Sequence, residues 1–221
     1  MLKRAIARVI LFVWFLCLLA YCIATAVTGW FLLSYLTCCT WLLQTCFYFC
    51  MILCGLHDKL EQFVIAVCLP FVHAMVWAVL TASTAMTIRD ANFLWRQGPP
   101  IVAFLHNFFI HYLPIFPLMF TGYHWRREIR WIFRNVYRRA PLAVSISFDI
   151  IQIGGSCLGV LLYLLRNDVQ VVYGTQLTNW QVGLCCAATI VACNSVLVAY
   201  ALWSDVGMQD AYVDKRYTQL N

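Results

Sequence analysis

Six apolar stretches, each long enough to cross a bilayer as a helix, divide this 221-residue chain and limit what it can fold into. A helical span needs about 20 residues, and the stretches run over 5–27, 30–56, 62–88, 100–121, 142–165 and 181–203. Inside hydrocarbon each backbone N–H and C=O must find its partner within the protein, which leaves helices as the spanning element for runs of this length. Composition agrees, with 63% hydrophobic and 11% charged residues against about 45–50% and about 25% in soluble domains. The expected fold is all-α: a polytopic, multi-pass integral membrane protein. Its 221 residues form a single six-transmembrane-helix bundle whose solvent is the lipid bilayer.

The charges fix an expected orientation. Lys3, Arg4 and Arg8 flank the first stretch, and most of the formal charge of +6 comes from the cluster His124 to Arg139, inside the connector 123–141. Basic residues collect on the cytosolic side. With an even number of spans that connector, both termini and the tail 204–221 share that side. Ala24-Thr25-Ala26 could pass for a signal-peptidase site, but the apolar run before it exceeds the roughly 7–15 residues of a signal core, so the first helix is expected to stay uncleaved. Within the connector, Trp125, Ile129, Ile132, Phe133 and Val136 share one helix stripe and Arg127, Arg130, Arg134 and Arg138 another. That is the pattern of a basic helix lying on anionic lipid head groups, although the positive-inside bias alone would produce the same arginines. A segment tethered between two spans does not suit nucleic acid.

Twelve cysteines invite a metal or disulfide reading. All fall inside the apolar stretches, where a free cysteine acts as a small hydrophobe. Cys46, Cys50 and Cys54 line one stripe without the interleaved His or acidic ligands that a tetrahedral site needs. No metal and no cofactor is expected.

Polar residues are where these helices carry information. Ser34, Thr37, Trp41, Gln44 and Tyr48 recur at steps of three and four, which is one face of a helix. Lipid makes such a face costly, so it is expected to turn inward, either as hydrogen-bonding glue between helices or onto a cavity. Other stretches offer faces of their own: His73, Trp77, Thr81 and Thr84; His106, Asn107 and His111; Ser145, Asp149, Gln152 and Ser156; and Asn194. Ser34, Trp41, Gln44, His73 and Asn107 are the expected lining of a polar interior. Gly155 and Gly159 have the spacing of a close helix contact.

Tyr35-Leu36-Thr37, six residues, then Gln44-Thr45-Cys46-Phe47-Tyr48, resembles the second-helix motif of the androgen-induced-gene family, membrane threonine hydrolases related to the androgen-dependent TFPI-regulating protein. Glu61 to Arg89, with Pro70 and Trp77, is similar to that family's third helix, and His111-x-x-Pro114 to its histidine region. The resemblance covers roughly residues 30–120, with Tyr173-Gly174 a weaker echo. It implies a six-span hydrolase that cleaves fatty acid esters of hydroxy fatty acids, with Thr37 as nucleophile and His111 as base. A threonine hydroxyl is a weak nucleophile until a neighbouring base takes its proton, and neutral imidazole suits that task near pH 7.

The chain departs from the family pattern in three places. Thr40 stands where relatives carry Asp or Asn, the connector His57 to Glu61 is short, and the Asn-His-Gly-x-His pattern is absent. The alternative base is therefore His106. Depth favours it, since about 1.5 Å of rise per residue puts the two histidines about 7–8 Å apart. The spacing to Pro114 favours His111.

Two other classes fit the same residues. One is a transporter or channel with His73, His106, His111 and Asp149 as an ion or proton path. The other is a non-catalytic scaffold. The expected location is an endomembrane, such as the endoplasmic reticulum, or the plasma membrane. Tyr217-Thr218-Gln219-Leu220 resembles a tail signal read by clathrin adaptors, which would make an adaptor a partner. The topology has a direct test: a glycosylation tag inserted near Arg134 should remain unmodified, whereas one placed between Arg166 and Trp180 should be glycosylated.

Overall fold

Why the chain packs around one long helix is visible in a computed structural model, which describes residues 2–27, 36–54, 58–89 and 108–203 together with Ile101 and Leu105. Regular structure among the described residues is entirely helical: α1 Leu2–Val27, α2 Leu36–Cys54, α3 Asp58–Arg89, α4 Ile115–His124, α5 Arg126–Arg134, α6 Leu142–Asp149, α7 Gly155–Arg166, α8 Val169–Tyr173 and α9 Asn179–Trp203. Wide π-helical turns at Phe108–Tyr112, Asn135–Arg139 and Ile150–Gly154 lead into α4, follow α5 and join α6 to α7. The spine is α3, whose 32 residues extend about 48 Å. Its neighbours include α2 and α9. Two apolar clusters share it: Leu69 and Val72 meet Leu18, Trp41, Trp125 and Phe133, while Ala78 and Val79 meet Val160, Val182 and Ile190.

Among the described residues four helices are long and apolar enough to cross a membrane: 36–53, 61–89, 142–166 and 179–199. In α1 the apolar stretch Arg8–Ala24 is shorter, at 17 residues. The fourth apolar stretch is not one regular helix over its described part, because Pro114 follows the turn Phe108–Tyr112 and α4 begins only at Ile115. Burial separates inner from outer spans. The windows in α2 and α3 are 56% and 59% buried, against 22% for each of the last two, whose apolar outer faces need lipid.

Pro70 sits inside α3 and has no N–H for the carbonyl one turn back. Beside that gap, Gln152 Nε2 donates to Val67 O at 2.9 Å. The whole polar face expected of the fifth stretch is used in this way: Ser145 donates to Val136 O, Asp149 accepts from Tyr137 and Asn194, and Ser156 donates to Gln152 O. Burial and then the Asp149 carboxylate hold the Tyr137 phenol well above its usual range, so it stays a donor. The Gly155/Gly159 spacing does not make the closest helix approach. A Cβ on Gly159 would meet open space and one on Gly155 only ordinary contact with Phe71, whereas one on Gly183 would lie 3.1 Å from Leu164.

The connector 123–141 corrects one expectation. It is largely helical, and the stripe assigned to a membrane surface packs into the protein: Trp125, Ile129, Ile132 and Phe133 are buried with α3 residues. The neighbouring helices offer those side chains a closer apolar surface than a lipid leaflet would. Arg127 and Arg138 stay exposed while Arg130 and Arg134 are half-buried.

A buried carboxylate ties this connector to the bundle. Glu61 accepts from Trp125 Nε1 at 3.1 Å and from Arg8 Nη2 at 3.3 and 3.4 Å, joining α1, α3 and the α4–α5 junction. Arg8 is 38% exposed, so solvent screening leaves its part of the pair small. The enclosed indole N–H carries the cost. Glu61→Leu should lower stability by about 1–3 kcal/mol, the penalty of an orphaned buried donor. Glu61→Gln, which keeps an acceptor, should lose less, read as thermal unfolding of the purified protein.

Candidate functional site

Thr37 and His111, 74 residues apart in sequence, come together. Thr37 Oγ1 lies 3.5 Å from His111 Nδ1. Thr37 is buried in the first described turn of α2, and His111 is half-buried in the π-helical turn Phe108–Tyr112. Local sequence explains the turn. Pro114 cannot donate to a carbonyl in the preceding turn, and the chain widens until Leu113 N bonds Phe108 O at 3.1 Å. Thr40, where the resembled family carries an acid or amide, donates its hydroxyl to Thr37 O at 2.7 Å. It braces the backbone of the residue it follows.

The end of α2 that carries Thr37 is held from outside the helix. Leu36 N donates to the hydroxyl of Tyr173 at 2.7 Å, and the Tyr163 hydroxyl approaches the same oxygen at 3.4 Å. Burial, with Tyr163 adding to it, pushes the Tyr173 phenol well above its usual range and keeps it a neutral hydroxyl. Tyr173 ends the short helix α8, where Gly174 at φ 62° takes the left-handed conformation that closes helices. Asn179 knits the segment on both sides, accepting from Val169 N and donating to Leu164 O and Asn167 O. Tyr163 and Tyr173 were not among the expected site residues. The signal for Tyr173 in the sequence was a Tyr-Gly between two apolar runs, and Tyr163 had none.

The remaining expected residues divide. Trp41 packs on Trp14 and Tyr21 of α1. His73 Nε2 lies 3.2 Å from Leu118 O, a contact that joins α3 to α4. Gln44 is fully buried, and among the described residues neither atom of its amide has a hydrogen-bond partner. Tyr48, one turn further on, is equally enclosed, and its hydroxyl faces Thr121. Ser34, His106, Asn107 and the tail with Tyr217 and Leu220 lie outside the described residues. Among the described residues no three His, Cys, Asp or Glu side chains group closely enough to hold a metal ion.

No family model, curated protein or solved structure matches this chain. The site therefore has to be read from its own geometry. If Tyr173 anchors the start of α2, Tyr173→Phe should raise amide hydrogen exchange at Leu36 about fivefold to tenfold, the loss of one net hydrogen bond. The rest of α2 should be unchanged.

Proposed function

We propose that this protein is a six-span intramembrane hydrolase of lipid esters, with Thr37 as nucleophile and His111 as general base. The observation that carries the reading is the 3.5 Å approach of Thr37 Oγ1 to His111 Nδ1. A working proton transfer spans about 2.6–3.2 Å, and such contacts commonly tighten only when substrate arrives. In the proposed reaction His111 Nδ1 takes the Thr37 proton as Oγ1 attacks the ester carbonyl carbon, giving a tetrahedral oxyanion. Its collapse breaks the C–O bond to the alcohol, which leaves with the proton from His111. Water, deprotonated by His111, then attacks the acyl-threonine and releases the acid, and the proton returns to Oγ1.

The substrate class, fatty acid esters of hydroxy fatty acids, follows the motif resemblance. Both termini are proposed to be cytosolic and the protein to reside in an endomembrane or the plasma membrane, with the exposed arginines Arg127 and Arg138 toward anionic head groups.

A fluorophosphonate probe should label the wild type. Thr37→Ala should abolish labelling and His111→Ala should slow it by about 10²–10⁴-fold, the usual worth of a general base, with both variants still inserting and folding. Undiminished labelling of Thr37→Ala refutes the assignment. Labelling lost in His106→Ala but retained in His111→Ala moves the base.

A further inference from the structure

The amide of Gln44 has no part in the reaction above, yet it is the most anomalous polar group in the bundle. It is 0% exposed, lies near the middle of α2, and leaves both Nε2 and Oε1 without a hydrogen-bond partner. One turn on, the Tyr48 hydroxyl, also 0% exposed, makes no hydrogen bond of normal length. Thr121 beside it has already given its own proton to Pro117 O. The other enclosed polar side chains of this helix behave differently. Thr40 and Thr45 each satisfy themselves on the backbone of α2. Most buried polar atoms in proteins are paired, so the two amide atoms of Gln44, without a partner among the described residues, mark a place where the partner comes from elsewhere.

The chemistry of the amide says what kind of partner. Gln44 offers a donor and an acceptor side by side in one plane. A carboxylic acid presents the same pair in reverse, its O–H to Oε1 and its C=O to Nε2, so the two groups close a ring of two hydrogen bonds. An ionised carboxylate would leave Oε1 unpaired and bring a bare charge to membrane depth. An ester offers no donor. Gln44 also lies seven residues from Thr37, about 10 Å along the helix axis, too far to touch a group reacting there.

We infer that Gln44, with the Tyr48 hydroxyl beside it, is a binding subsite for the un-ionised carboxyl group of a long-chain fatty acid. The site is enclosed, so the acid enters by parting α2 from the helices packed on it. The inference goes beyond the hydrolase reading and does not depend on Thr37 being a nucleophile.

The test uses the full-length protein, purified in detergent and stripped of lipid, with a photoreactive C16 fatty acid and its methyl ester as probes. The acid should label wild type and Thr37→Ala alike, and the methyl ester several-fold less. Gln44→Leu and Gln44→Met, close in volume but without the amide, should reduce labelling by the acid about thirtyfold, the worth of two net hydrogen bonds. They should also melt no lower than the lipid-free wild type, since they remove polar atoms that lack partners there. Equal labelling by acid and ester overturns the inference, as does undiminished labelling of both variants, which would leave Gln44 an amide satisfied by water only. Failure of both variants to fold also overturns it, because the amide would then be a structural residue with protein partners. Loss of activity in Thr37→Ala with acid labelling intact separates this subsite from the fate of the catalytic proposal.

Discussion

A backbone amide or carbonyl in hydrocarbon has no water to bond when its helical partner is missing, and that constraint organises this bundle. Near Pro70 in α3, which leaves the Ala66 carbonyl without its helical donor, Gln152 from a neighbouring span donates to the next carbonyl, that of Val67. At Leu36, the first described residue of α2, Tyr173 receives the backbone amide. Where Pro114 breaks the fourth apolar stretch, the chain widens into a π-helical turn that keeps Leu113 bonded to Phe108 and brings His111 to Thr37. The Gln152, Tyr173 and His111 contacts each join two elements that sequence keeps far apart.

Two carboxylates, Glu61 buried and Asp149 half-buried, each accept from two side chains on other elements, which is how charge is tolerated away from water. Both sit where the α5 region meets the spans. The connector rich in arginine is therefore a docked part of the protein.

Much of this was legible in the sequence. Apolar run length marks four helices that can span, and the three-four rhythm of α2 and of the fifth stretch marks faces that turn away from lipid. The threonine and histidine of the candidate pair could be named because each sits in a short motif. What could not be read is partnership. Hydrophobic periodicity reports that a face avoids water without saying whether lipid or protein covers it, so the stripe Trp125 to Phe133 looked like a surface anchor and is core. Nor does periodicity say which carbonyl a glutamine will meet, as Gln152 illustrates. Tyr173 was noted only as part of a Tyr-Gly echo, and its role was illegible for a related reason: it accepts one backbone hydrogen bond from a residue 137 positions earlier, and no local pattern encodes that.

The Tyr173 contact gives the candidate pair an unusual mechanical dependence. Thr37 follows Leu36 directly, and the Leu36 amide is held by a residue of the short segment between α7 and α9. That segment is braced by Asn179 against its own two ends, so it moves as a unit with the mouths of α7 and α9. A displacement applied there, by a bound protein or by a change in bilayer thickness that tilts either helix, reaches the threonine hydroxyl through one hydrogen bond and one peptide unit. The position of Thr37 is in this way tied to a segment at the rim of the bundle.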